Sequence, residues 1–109
     1  MMEEENNKIR ATTINNDLGL HARSAAQIAA IARNSAGNVW IQKDHEKADA
    51  SSILDILTLG CAKGTKITIV IEDLADRPTL NAIADLVDSG FGETEVKDND
   101  RTRRSGKNT

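Results

Sequence analysis

The sequence predicts an α+β domain of two layers, with the order β-α-β-β-α-β-α and an antiparallel sheet carrying its helices on one face. Three observations lead there. Segments of alternating or β-branched residues are interleaved with segments whose apolar residues recur at helical spacing. Two of the strand segments follow each other across a short polar turn, which marks a hairpin rather than a parallel crossover. The 109 residues contain no repeat and no internal linker, so one small domain is expected.

Each element has its own warrant. "KIRATTIN", residues 8–15, alternates with Ile and Thr enrichment and reads as the first strand. Gly19 breaks the chain, and a helix follows over 22–34. Its Ala25, Ile28, Ala29 and Ala32 fall at i, i+3, i+4 and i+7, one buried stripe of small residues suited to close approach on a sheet. Gly37 turns the chain into a second strand at 38–43, and "DHEKAD" leads to a short third strand near 47–51. "SSILDILTLG" predicts a short helix over 52–59, with Ile53, Ile56 and Leu57 facing inward, Leu54 on another side and Gly60 as terminator. "TKITIVIE", residues 65–72, is the clearest strand, β-branched nearly throughout. Pro78 fits the first turn of a last helix over 77–89, where Leu80, Ile83, Ala84 and Val87 form the stripe and Gly90 ends it.

Composition narrows the function. Aromatic residues are only 2%, Trp40 and Phe91, which excludes a base-stacking platform for single-stranded nucleic acid. Cys61 is the only cysteine, so neither an internal disulfide nor a cysteine zinc site is expected. His45 has no partner at metal-ligand spacing, and no metal or cofactor is predicted. No apolar run approaches the length of a membrane span and no basic-then-apolar leader opens the sequence, which points to a soluble cytoplasmic protein; a monomer is expected. The net charge of -3 is uneven. Glu3, Glu4 and Glu5 make residues 1–7 an acidic, flexible start. Residues 94–109 read as a disordered tail, where from Lys97 onward five basic residues against two acidic ones give +3. Its mixed charge favours a solvated extension over a nucleic-acid or lipid contact.

The chemistry gathers in "DLGLHARSAAQIAAIA", residues 17–32. A helix starting at Ala22 leaves first-turn amides without partners, and these point back toward His21. Together with the positive end of the helix dipole they favour an anion, phosphate above all. Arg23 adds a planar, permanently charged fork for phosphate oxygens. Gly19 permits the sharp entry. Two readings of His21 fit these residues: an imidazole that merely caps the helix or packs at the surface, and a nucleophile that takes a phosphoryl group on a ring nitrogen. At the next helix, Ser52 with Asp55 three residues later forms a weak capping-box pattern, a sufficient structural reason for that serine.

"GLHARSAA" resembles the active-site signature of the HPr phosphocarrier family of the phosphoenolpyruvate-dependent phosphotransferase system. "SSILDILTLGCAKGTKITI" resembles that family's second helix and last strand, and "DLVDSGFGE" its ending, with a lean toward the nitrogen-related NPr branch. The resemblance spans residues 8–93. It implies an open-faced β-sandwich, a four-stranded antiparallel sheet with three helices on one side. It implies that His21 accepts phosphate through Nδ1 from phosphorylated enzyme I and passes it to a histidine of an enzyme IIA-type acceptor. Such a protein is a phosphotransfer intermediate rather than a multiple-turnover enzyme. Arg23 matches the family's phosphate-assisting arginine, with the backbone of Ala22 and Ser24 beside it.

The family normally has proline where Ser24 stands. Serine restores an amide and adds a hydroxyl, which predicts a looser first turn, two more phosphate donors and altered transfer kinetics. In some HPr proteins the serine matching Ser52 is phosphorylated by an ATP-dependent kinase, so a serine kinase/phosphorylase is a further partner to consider. Asp55, where the family commonly has glycine, opposes that modification. Partner docking is expected at a small apolar patch drawn from Ala26, Ala30, Ile53 and Leu54. A different reading keeps the fold but makes the protein a non-transport regulatory module controlled through Ser52; possession of both His21 and Arg23 favours the carrier.

Overall fold

The computed structural model describes residues 7–93, so the expectations for the acidic start before Asn7 and for the basic tail fall outside the described residues. The strands are β1 (Ile9–Thr13), β2 (Val39–Lys43), β3 (Glu46–Asp49) and β4 (Lys66–Ile71). The helices are α1 (Ala22–Ala32), α2 (Ile53–Thr58) and α3 (Arg77–Asp88), with short 3-10 turns at Leu74–Asp76 and Gly90–Gly92 on either side of α3. All pairings are antiparallel and the sheet order is β1-β4-β2-β3. This is the open-faced sandwich, four strands under three helices.

One face of the sheet is the floor of the core. Register aligns Ala48, Ile41 and Ile69 across three strands, with Val39 beside Ile71 along the same face. The small-residue stripe of α1 and the Leu80, Ile83, Ala84 and Val87 stripe of α3 are buried against it as their spacing predicts. Ile56 of α2 is fully buried while Ile53 and Leu57 pack partly against the cluster.

β3 lies earlier than the sequence suggested. Lys43 pairs with Glu46 across a two-residue turn in which Asp44 takes a positive φ of 55°, so the hairpin tightens and the strand begins at once. It ends at Asp49, whose Oδ1 accepts from the Ser51 amide at 2.9 Å and the Ser51 hydroxyl at 2.7 Å. That local turn draws Ser51 out of the ladder. Asp76, buried at the start of α3, accepts from the amides of Ala36 and Gly37 at 2.8 Å each, tying the α1–β2 turn to α3.

Candidate functional site

His21 stands at the N-cap of α1 with extended backbone, φ -123° and ψ -177°. Its carbonyl accepts the first bond of the helix ladder from Ala25 N at 2.8 Å, so the amides of Ala22, Arg23 and Ser24 lie ahead of that ladder. The ring takes the place of the usual short oxygen: Nδ1 accepts from Arg23 N at 3.2 Å.

Ser24 closes a reciprocal box. Its Oγ accepts from His21 N at 2.9 Å and lies within donating distance of His21 O at 3.2 Å and Gly19 O at 3.4 Å. The residue is 0% exposed. The hydroxyl points inward, to the backbone of His21 and Gly19, and ties the first turn. Ala22 and Arg23 are exposed.

The loop into the site is fixed by Gly19, with φ +68°, whose hypothetical Cβ would lie 2.5 Å from Cys61 O. The same carbonyl accepts from Leu20 N at 2.8 Å, so the approach is as close as a glycine allows.

A second wall, missed from the sequence, comes from the end of the domain. Gly90, Phe91 and Gly92 have positive φ of 73°, 61° and 72°, a short left-handed turn anchored by the buried Phe91 ring. The turn carries Glu93 back to the histidine. Glu93 Oε2 is 2.8 Å from His21 Nε2, and Oε1 accepts from Asn16 Nδ2 at 3.1 Å. Asn16 is buried and also donates to Gly19 O at 2.9 Å. "SGFGE" offered a signal, a bulky residue between two glycines before a carboxylate, but nothing local to it says that the carboxylate meets a residue 72 positions earlier. Arg23, Gln27, Phe91, Gly92 and Glu93 line an open cleft of about 470 Å³.

Elsewhere the candidates lie as follows. Ser52 caps α2, its Oγ accepting from Asp55 N at 3.2 Å. The capping box stays half made: the Asp55 carboxylate accepts from Asp49 N at 3.3 Å, while Ser52 N donates to Asp49 O at 3.0 Å. Hydrogen bonds from the Ser51 hydroxyl and amide hold the Asp49 carboxyl below its ordinary range despite partial desolvation. Leu54 is 75% exposed, Ala30 exposed, and Ala26 and Ile53 half-buried, on two helices that pack together. His45 is exposed in the β2–β3 turn, and Cys61 is buried. Among the described residues no three His, Cys, Asp or Glu side chains gather to hold a metal, and no helix is long and apolar enough to cross a membrane.

The family model for the phosphotransferase-system HPr component phosphorylation site matches residues 9–89. The chain belongs to the HPr phosphocarrier family. It is 33% identical over 86 residues to the phosphocarrier protein HPr of Cupriavidus necator, covering 79% of this chain and 97% of that one. It is 38% identical over 84 residues to the phosphocarrier protein NPr of Shewanella violacea, covering 77% and 92%. The crystal structure of HPr-C-His from Thermoanaerobacter tengcongensis superposes with a TM-score of 0.75 at 34% identity, over 80% of this chain and 98% of that one. HPr and NPr relatives together place the chain among phosphoryl carriers of the phosphotransferase system.

Proposed function

We propose that this chain accepts a phosphoryl group on His21 Nδ1 from phosphorylated enzyme I and passes it to a histidine of an enzyme IIA-type acceptor. The observation that carries the reading is the direction of Nδ1. It faces the first turn of α1, 3.2 Å from the Arg23 amide, where unpaired N–H groups and the helix dipole favour an anion. In the transfer, the Nδ1 lone pair forms a bond to phosphorus as the donor's nitrogen–phosphorus bond breaks and its pair stays on the donor. The amides of Ala22, Arg23 and Ser24 and the exposed Arg23 guanidinium then hold the three phosphoryl oxygens. The exposed Leu54, with Ala26, Ala30 and Ile53, supplies a small apolar contact suited to rapid exchange of partners. The carrier works as a cytoplasmic monomer.

Regulation through Ser52 has weaker support. The carboxylates of Asp49 and Asp55 both engage the backbone at the start of α2, so a phosphate there meets like charge.

Incubation with labelled phosphoenolpyruvate and the cognate enzyme I tests the carrier. The expected product is acid-labile, base-stable label on the native chain, lost in His21→Ala. A native chain that takes no label overturns the proposal.

A further inference from the structure

We infer that Glu93 is a positioning residue for phosphoryl transfer, selecting Nδ1 as the reacting nitrogen by holding the hydrogen of His21 on Nε2, with Asn16 as its anchor. The inference rests on the carrier reading above and adds to it the group that sets the state of the nucleophile.

The hydrogen-bond partners dictate the tautomer. A backbone amide can only donate, so the Arg23 N–H at 3.2 Å requires a lone pair on Nδ1. A neutral imidazole then carries its single hydrogen on Nε2, and the Glu93 carboxylate oxygen at 2.8 Å accepts it. In the opposite tautomer the Nε2 lone pair would face a carboxylate and Nδ1–H would face an N–H, two repulsions in place of two bonds. Nδ1 would also have no electron pair for phosphorus.

Glu93 is itself held in place. Asn16 Nδ2 donates both to Glu93 Oε1 at 3.1 Å and to Gly19 O at 2.9 Å. Asn16 is 6% exposed, and its Oδ1 is buried without a partner. Turning the amide over would aim Oδ1 at two acceptors, so the orientation that leaves Oδ1 unpaired is the one the carboxylate requires. The left-handed turn at Gly90–Gly92 closes the other side through Glu93 N and Gly90 O at 3.0 Å. Loop, turn and helix thus converge on one ring nitrogen.

Glu93 also bears on charge. As the bond to phosphorus forms, positive charge appears on the His21 ring while the Nε2 hydrogen stays where it is. The carboxylate faces that charge directly, and no proton has to leave. On transfer onward the nitrogen–phosphorus bond breaks, the pair returns to Nδ1, and the ring is again the Nε2–H tautomer. The logic is that of an oriented imidazole whose second nitrogen is held by an acid.

The test uses the full chain with ¹⁵N-labelled histidine. Long-range ¹H–¹⁵N spectra at pH 8 are expected to show Nδ1 unprotonated and Nε2 protonated in the native protein. Glu93→Ala is expected to give a mixture of tautomers and transfer from phosphorylated enzyme I slower by about tenfold, the lower end of what losing the partner of a functional imidazole costs. Glu93→Gln, whose amide oxygen still accepts from Nε2–H, should recover most of the native tautomer pattern and part of the rate. An unchanged tautomer pattern in Glu93→Ala, or a transfer rate within about twofold of native, overturns the inference. If the native chain takes no phosphate, the carrier reading fails by itself, while the spectra still decide which nitrogen keeps its hydrogen opposite Glu93.

Discussion

Replacing Ser24 by alanine isolates what the serine contributes to the start of α1. The two side chains are nearly equal in volume, so at this fully buried position no cavity opens. Only the hydroxyl disappears. Its lost acceptances and donations are unequal in consequence. Gly19 O keeps Asn16 Nδ2 at 2.9 Å, and His21 O keeps Ala25 N at 2.8 Å. His21 N, bonded to Oγ at 2.9 Å, is left with nothing. One part-buried amide without a partner, together with half a capping box, is worth about 1–2 kcal/mol. For a domain of this size the melting temperature should fall by roughly 5–15 °C. Ser24→Pro loses the same bond but stiffens the unfolded chain, which returns about 0.4–1 kcal/mol. The expected order of stability is native, then Ser24→Pro, then Ser24→Ala. Urea unfolding followed by circular dichroism measures it. A Ser24→Ala midpoint corresponding to less than about 0.5 kcal/mol of destabilisation would refute the argument that the hydroxyl fastens the turn. In an enzyme I assay Ser24→Pro should transfer at a rate different from native, because it also removes the Ser24 amide from the phosphate side; identical rates would contradict this.

The remaining predictions concern other parts of the site and its surroundings. Gly19→Ala must leave φ +68° or push Cys61 O away from a Cβ at 2.5 Å, so it should cost more than about 2 kcal/mol in urea unfolding; less than about 1 would show that the loop yields easily. Burial pushes the Cys61 thiol up, reinforced by Glu46 and opposed by Lys43, so native labelling by a disulfide reagent at pH 8 should be far slower than in urea. By linkage, that neutral thiol's contribution is complete below the ordinary thiol range and lost as pH rises through the raised value; Cys61→Ala should therefore lose stability less steeply in alkali. Asp55→Gly should increase phosphate incorporation at Ser52 by the family's ATP-dependent serine kinase, and unchanged incorporation would remove the charge argument. Leu54→Glu, at a side chain 75% exposed, should slow transfer from enzyme I about tenfold without shifting the unfolding midpoint; native rates would place docking elsewhere.

Most of the fold was legible because burial is periodic. Ala25, Ile28, Ala29 and Ala32 could satisfy no pattern but a helix with one covered stripe, and β4 could hardly be anything except a strand. Boundaries failed where a side chain competed with the ladder, as at Asp49, whose carboxylate captures Ser51 and ends β3 early. The site was legible by halves. The part made by neighbours in sequence, His21 against the first-turn amides, follows from helix geometry. The part made by Asn16 and Glu93 does not, because it depends on how the last left-handed turn packs Phe91 and returns the chain. Ser24 shows a third kind of gap: the residue type was visible, but the rotamer that sends its hydroxyl inward depends on Gly19 O and His21 N being there to receive it.

The choice of an imidazole over a serine or aspartate at the cap follows from these contacts. A cap must present a lone pair to the first-turn amides, and a nucleophile must present a lone pair to phosphorus. In the Nε2–H tautomer, His21 Nδ1 offers one pair for both purposes, at 3.2 Å from Arg23 N. The proposed phosphorylation therefore removes the cap at the instant it delivers phosphoryl oxygens to the same amides. The helix start changes acceptor without being left unpaired, and release of phosphate restores the imidazole cap. A buried Ser24 box beneath the ring makes that exchange tolerable, because the turn is fastened by bonds that Nδ1 takes no part in.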